Sequence, residues 1–270
     1  MRPLLTAVAL GLVMAACTAA PEHLAVVGNH PSALSTGEQR VLVAYRSTGG
    51  EDLASPDLTV TLEVSREGAD PQVVPTTFMW LDEGFRGLYV ATVVFDQPGT
   101  WTAVLRPDGR APTLASPFSV TDEPVTPQVG ERAPSVDTFT VADTKGDLAA
   151  ITTDPDPEPG LYEISLADAV ASGRPTVVIF ATPRFCTTAT CGPMLDVVKQ
   201  ARADLADLAV NWVHVEVYDL SDLSNLALVP AVVAWELPSE PWLFVVDAEG
   251  VVSHRFEGVV STAELAGAVR

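Results

Sequence analysis

The sequence predicts two folded units, an all-β domain followed by an α/β domain, behind an N-terminal export signal. In the first half, short β-rich segments are separated by turn residues. In the second half, strand-like segments alternate with helical ones, and two cysteines lie between the first strand and its helix. The 270 residues leave room for roughly two domains, and an apolar content of 47 % is enough to fill their cores.

The N-terminus consists of Arg2, the apolar run Leu4–Ala16 and Cys17. This run is too short to span a bilayer as a helix, and its length and preceding charge are typical of a secretory signal. Met14-Ala15-Ala16-Cys17 resembles the bacterial lipobox, in which the cysteine is acylated and becomes the new N-terminus. The resemblance implies a signal peptide over 1–16, a tether over 17–23 and an extracytoplasmic protein lipid-anchored to the membrane. An ordinary cleaved signal with a chance cysteine, or a buried apolar helix, is the alternative.

Residues 24–121 predict an antiparallel β-sandwich of immunoglobulin-like type, because several short β-rich runs lie between turn signals. The segment Gly87–Trp101 resembles the small YtkA-like β-domains of exported bacterial proteins. His23 and His30 have no second cluster of ligands in the sequence, so we expect no metal site and interpret this domain as a spacer or an interaction module. The predicted strands are Arg40–Arg46, Leu58–Val64, Gly87–Phe95 and Thr100–Leu105.

Residues 122–160 predict a linker, since they are rich in proline and acidic residues. Asp154–Gly160 contains three prolines, which remove backbone donors and fix φ. Within the linker, Phe139–Thr152 is expected either to add an edge strand or to wrap over the surface.

Residues 161–270 predict an α/β domain with the order β-α-β-α-β-β-α. The run Pro175–Ala181 is uniformly apolar, as in a strand that is buried on both faces. Leu195–Leu208 has apolar residues at helical spacing, and Ser165 and Ser261 are candidate N-caps. The other predicted elements are Ser165–Ser172 (helix), Asn211–Tyr218 (strand), Leu226–Trp235 (partly helical), Trp242–Val246 with Val251–Phe256 (hairpin) and Ser261–Val269 (helix).

Three segments of this second half carry a family resemblance. Phe180–Cys186 (FATPRFC) resembles the F-W-A-x-W-C lead-in of thioredoxins and TlpA-like lipoproteins, with one residue inserted. Cys191-Gly192-Pro193 resembles the C-G-P of the thioredoxin motif, and Glu240–Gly250 resembles the cis-proline strand and hairpin. The resemblance implies a thioredoxin-like domain, a Cys186/Cys191 redox pair and a cis Pro241.

Two departures from the thioredoxin pattern leave the roles of the cysteines open. Four residues separate them where the family has two, and Met194 occupies the position of the second cysteine after C-G-P. We favour Cys186 as the attacking thiol and Cys191 as the resolving one; the reverse assignment and an inert structural disulfide are the alternatives. Four further residues are expected to support the site, two of them through opposite charges: Arg184, Pro193, Glu240 and Pro241.

Other functions fit the sequence less well. A peroxiredoxin would need P-x-x-x-T-x-x-C, but Ile179 and Pro183 stand at the proline and threonine positions. A copper chaperone would need a distant histidine, and His214 and His254 both lie in strand patterns. The net charge of −20 argues against nucleic acid as a partner. We expect protein thiols or disulfides as partners, and neither a cofactor nor a metal.

Overall fold

The computed structural model of the chain describes residues 23–82 and 84–270. The predicted signal segment, the candidate lipidation residue Cys17 and nearly all of the tether lie outside these residues. Within the described ranges, no helix has both the length and the hydropathy needed to cross a membrane.

The first domain is built from eight strands in two antiparallel sheets. The strands are β1 (His23–Val27), β2 (Gly37–Ser47), β3 (Val60–Ser65), β4 (Gln72–Pro75), β5 (Thr77–Asp82), β6 (Arg86–Phe95), β7 (Gly99–Pro107) and β8 (Ser116–Val120). One sheet has the order β1-β2-β6-β5 and the other the order β4-β3-β7-β8. The four predicted strands are present with slightly different bounds, and β1, β4, β5 and β8 complete the sheets.

The core of this domain follows from strand alternation, because every second side chain of a strand points to the same face. In β3, Val60, Leu62 and Val64 are buried while the residues between them are partly exposed. Trp101 of β7 is fully buried and contacts Phe95 edge to face, with ring centroids 5.0 Å apart. The domain is therefore a β-rich sandwich with its own hydrophobic core.

The connecting segment forms no strand between residues 139 and 152, so of the two arrangements that the sequence allowed, the edge strand is absent and the chain packs over the second domain. The chain instead turns and forms two short 3-10 helices, Leu148–Ala150 and Pro159–Leu161. The only sheet-like contact in the described linker lies earlier, where Arg132 forms an isolated antiparallel bridge with Val251. We call residues 137–154 the wrapping segment. Its residue Asp154 binds Lys199 with a nitrogen–oxygen distance of 2.7 Å, which fixes the segment to the second domain.

The second domain is a four-stranded mixed sheet between two layers of helices. The strand order is β10-β9-β11-β12; β9 and β10 are parallel, and the other pairs are antiparallel. This arrangement is consistent with a thioredoxin-like fold. The elements are α1 (Leu166–Ala171), β9 (Thr176–Ala181), α2 (Cys191–Asp204), β10 (Asn211–Glu216), α3 (Pro230–Ala234), β11 (Trp242–Val246), β12 (Val252–Glu257) and α4 (Thr262–Val269).

The central strand β9 divides the core of the second domain into two halves. Val177, Ile179 and Ala181 pack with α2 and α4, whereas Val178 and Phe180 pack with α1 and α3. Every residue of β9 is buried, as the sequence predicted for a strand that is covered on both faces. Because β9 is immobilised from both sides, the loop at its carboxyl end starts from a fixed position.

The two domains share one of these hydrophobic clusters. Leu42, Met79 and Leu88 of the β-domain belong to the cluster that holds α2 and α4. Polar contacts surround it: Arg40 binds Glu264 through two nitrogens at 2.8 and 3.0 Å. The β-domain therefore packs directly on the second domain, through both apolar and charged contacts.

Candidate functional site

The two cysteines lie where β9 ends and α2 begins. β9 ends at Ala181, a loop covers residues 182–190, and Cys191 is the first residue of α2. The Cys186 amide donates to the Thr182 carbonyl at 2.9 Å, which closes a tight turn directly after the strand. The Glu240–Pro241 peptide bond is cis, as the resemblance implied, and it immediately precedes β11.

The two thiols have different environments. Both are free; Cys186 is partly exposed, whereas Cys191 is 0 % exposed and packs in the α2/α4 cluster. The Cys186 sulfur lies 3.2 Å from the Thr188 hydroxyl, which in turn lies 2.7 Å from the Thr190 hydroxyl. One sulfur is thus available to a partner, while the other lies beneath it.

Hydrogen bonds set the protonation states of the pair. The Cys191 thiol, the Thr188 hydroxyl and the backbone amides of Cys191 and Thr190 lower the pKa of Cys186 to about 4, although its partial burial acts against them. The same contact with Cys186, together with burial, raises the pKa of the Cys191 thiol. At neutral pH the pair therefore consists of a thiolate at Cys186 and a protonated thiol at Cys191.

The helix start contributes to this arrangement. The first amides of α2 have no intrahelical acceptor, and an anion at that end also interacts favourably with the helix dipole. Pro193 is exposed in the first turn, where a missing N–H removes no helical hydrogen bond. Ala189 has a φ of 57°, in the left-handed region that costs a residue with a Cβ roughly 1 kcal/mol. Ala189 lies in the turn that leads into α2.

The charged residues that the sequence singled out, Arg184 and Glu240, both lie near Cys186. The exposed Arg184 guanidinium is 5.5 Å from the centroid of the Phe185 ring, and so stacks on the residue that precedes the thiolate. Glu240 is partly buried, and its burial and the negative charge of Cys186 both raise its pKa. Phe185 also contacts Tyr218 edge to face, with ring centroids 6.1 Å apart.

A buried acid supports the loop before the cysteines. Glu216, at the carboxyl end of β10, accepts from the Thr153 amide at 2.7 Å and from its hydroxyl at 2.8 Å. The Thr153 hydroxyl oxygen in turn accepts from the Arg184 amide at 3.2 Å. Burial raises the pKa of Glu216. The wrapping segment is therefore tied both to β10 and to the loop that carries Cys186.

The four histidines form their side-chain hydrogen bonds with residues other than the two cysteines. His214 is buried; its Nδ1 lies 2.7 Å from the Tyr162 hydroxyl and its Nε2 lies 3.0 Å from the Ala181 carbonyl oxygen. Burial lowers its pKa to about 4. His254 is exposed on β12, and His23 lies 3.1 Å from the Tyr45 hydroxyl. In the described part of the chain, no three His, Cys, Asp or Glu side chains are grouped as metal ligands.

Sequence reasoning missed the residues that act through tertiary contact. Thr188 and Thr190 belong to the threonine-rich stretch between the cysteines. The sequence therefore does carry a signal for hydroxyl groups close to the thiols. Tyr218 and Glu216 carry no such signal, because their positions beside the loop depend on the parallel pairing of β9 and β10.

No family model matches the sequence, and no curated protein matches it either. Among solved structures, the chain is similar to a thiol:disulfide interchange protein of the thioredoxin family from Chlorobium tepidum, with 20 % identity, a TM-score of 0.36, and coverage of 52 % of this chain and 94 % of that one. It is also similar to the Lin-41 filamin domain, with 17 % identity, a TM-score of 0.25, and coverage of 38 % of this chain and 95 % of that one. Both TM-scores are below 0.5, so neither similarity assigns a function to this chain.

Proposed function

We propose that this protein is an extracytoplasmic, lipid-anchored thiol-disulfide oxidoreductase in which Cys186 attacks and Cys191 resolves. The observation that carries the proposal is the asymmetry of the pair: a partly exposed sulfur with a low pKa above a buried, protonated one. A thiolate is the nucleophile in disulfide exchange, and an accessible thiolate is what distinguishes a reactive cysteine from a structural one.

In the reducing direction, the Cys186 thiolate attacks one sulfur of a partner disulfide. A mixed disulfide forms, and the other partner sulfur leaves with the electron pair and takes up a proton. Cys191 then loses its proton and attacks the Cys186 sulfur, which releases the second partner thiol. The partner gains two electrons and two protons, and the chain is left with a Cys186–Cys191 disulfide; the oxidising direction is the reverse.

The helix start and its hydrogen bonds support the first step, since they stabilise the thiolate without a metal or an organic group. The position of Glu240 beside the thiolate, just before the cis Pro241, supports a role in adjusting its reactivity. The lipobox-like sequence at Cys17 supports the anchor, because acyl chains hold a protein at a membrane surface by apolar burial.

The experiment is a glutathione trap on three forms of the protein. With oxidised glutathione, we expect Cys191→Ala to hold one glutathione, the native pair to resolve to an internal disulfide, and Cys186→Ala to take up none. Mass spectrometry of the intact protein distinguishes these products. If Cys186→Ala takes up the glutathione instead, the roles are reversed. If the native pair forms a disulfide with a reduction potential below about −300 mV, the pair is a structural one.

A further inference from the structure

A cleft of about 650 Å³ lies at the β10 edge of the sheet of the second domain. We call it the edge cleft. It lies between the wrapping segment and the loop that follows β10, and β10 is the edge strand of its sheet. Its lining residues come from 137–151, 165–168, 214–220 and 227–231.

The edge cleft adjoins the reactive thiol. The strands β9 and β10 are parallel, so their carboxyl ends meet at one edge, where ligands of such sheets commonly bind. Cys186 follows the first strand, and the cleft residues Glu216 and Tyr218 end and follow the second. Tyr218 contacts Phe185, the residue before Cys186. Tyr218 therefore joins the lining of the cleft to the loop that carries Cys186.

The charge of the edge cleft has one sign. Five acids line it, and none of the lining residues that the structure describes is lysine or arginine; the acids are Asp137, Asp143, Asp168, Glu216 and Asp219. Hydrogen bonds from Thr140 lower the pKa of Asp143, and hydrogen bonds from Ser221 lower the pKa of Asp219. Both carboxyl groups are therefore ionised at neutral pH. Such a cleft attracts cationic side chains and repels acidic ones.

Two further observations indicate that the edge cleft takes a ligand. Glu216 is 5 % exposed; its Oε2 accepts two hydrogen bonds from Thr153, whereas its Oε1 has no partner with hydrogen-bond geometry among the described residues. A buried carboxylate oxygen without a partner costs free energy that a donor on a ligand can recover. In addition, the large apolar side chains of Phe139 and Leu228 are 73 % and 48 % exposed at the rim, and neighbouring exposed apolar groups are typical of binding surfaces.

We propose that the edge cleft binds an extended segment of the substrate polypeptide in which a basic side chain stands next to an apolar one. The acids receive the basic group, Phe139 and Leu228 contact the apolar one, and the edge strand β10 favours an extended backbone. The inference rests on the proposed function, because the substrate is defined as the polypeptide whose disulfide reaches Cys186.

The experiment uses short peptides in matched pairs, and the two members of a pair differ in one residue. Each has a single cysteine, linked as a mixed disulfide to the coloured leaving group nitrothiobenzoate, and a flanking Lys-Leu or Glu-Leu pair. The Cys186 thiolate attacks the peptide sulfur, a new disulfide forms, and nitrothiobenzoate leaves with the electron pair, so its absorbance reports the rate. A third mixed disulfide made with mercaptoethanol reports the reactivity of the thiolate alone. Peptides are made with the pair on either side of the cysteine.

With the reduced protein at low salt, we expect the Lys-Leu peptide to react about tenfold faster than the Glu-Leu peptide on at least one side, and the preference to fall at about 0.5 M salt. The double variant Asp143→Asn with Asp219→Asn keeps the local hydrogen bonds and should lose most of the preference. Leu228→Ser should slow the Lys-Leu peptide at both salt concentrations. The mercaptoethanol disulfide should react equally with all these forms.

A matched control separates the edge cleft from the general negative charge of the protein. The double variant Asp57→Asn with Asp247→Asn removes the same charge at positions outside the cleft, and should keep the preference. If both double variants lose it equally, or if the two peptides react at the same rate with the native protein, the docking proposal is wrong while the thiol chemistry stands. If the mercaptoethanol disulfide does not react either, the proposed function itself fails.

Discussion

Replacing Cys191 with alanine removes the donor that contributes most to the low pKa of Cys186. The pKa falls from the 9.0 of an ordinary thiol to about 4, and four donors share this effect against the opposing burial. A hydrogen bond to a charged group contributes about 1.5–3 kcal/mol, and one pH unit corresponds to about 1.4 kcal/mol. We therefore expect the alkylation profile of Cys186 to move to higher pH by about one to two units in Cys191→Ala.

The assay is the rate of alkylation by iodoacetamide between about pH 3 and 9, because only the thiolate reacts. In the native reduced protein the rate should reach half its plateau near pH 4. In Cys191→Ala the midpoint should be higher, and the plateau should rise by about threefold per pH unit of that change, because a more basic thiolate is a better nucleophile. The two profiles should therefore cross.

Three controls make the result specific to Cys186. Cys186→Ala should show no alkylation over this range, since Cys191 is fully buried and its pKa is raised. Thr188→Val should move the midpoint upward by less than Cys191→Ala does, and Thr187→Val, at an exposed neighbour, should leave it unchanged. An unchanged midpoint in Cys191→Ala would refute the idea that the two sulfurs are coupled by a hydrogen bond.

Two further predictions concern the anchor and the domain contact. When the full chain is produced in a bacterium supplied with radiolabelled palmitate, the native protein should become labelled and Cys17→Ala should not; equal labelling of the two forms, or no label in either, would contradict lipidation at Cys17. Arg40→Met breaks a two-nitrogen bond to Glu264 across the domains, and should lower the free energy of unfolding by about 1–3 kcal/mol in a single urea transition. Arg46→Met, which breaks a more exposed pair with Asp52 inside the β-domain, should cost less than about 1 kcal/mol; equal losses, or two separate transitions, would contradict the domain coupling.

The parts of the fold that the sequence predicted correctly are those in which local pattern and tertiary environment agree. The uniform apolar run of β9 and the capping serines Ser165 and Ser261 each specify their element locally, and both serine side chains accept the cap bond. The apolar spacing predicts a helix over Leu195–Leu208, whereas α2 runs from Cys191 to Asp204. The first turn tolerates Gly192 and Pro193, so the helix begins before the first residue of the apolar pattern.

The edges of the β-domain could not be predicted, for a physical reason. β4 and β5 lie at sheet edges, and β4 has four residues of which none is buried, so its sequence carries little hydrophobic pattern. In the candidate site, too, only part could be predicted from the sequence. Motifs along the chain identified the cysteines and the cis Pro241. Tyr218 and Glu216 come from the neighbouring strand, so only the paired sheet shows that they belong to the site.

The four residues between the cysteines do more than separate them. A shorter connection would leave only the helix amides and the second thiol to stabilise the thiolate. Here Thr188 adds a hydroxyl to the Cys186 sulfur, Thr190 holds that hydroxyl in place, and Ala189 adopts a left-handed φ between them. The longer loop therefore contains one strained residue, Ala189, and provides an additional hydrogen-bond donor, the Thr188 hydroxyl, to the Cys186 sulfur. If Thr188→Val leaves the reactivity of Cys186 unchanged, the hydroxyl is dispensable and the spacing needs another explanation.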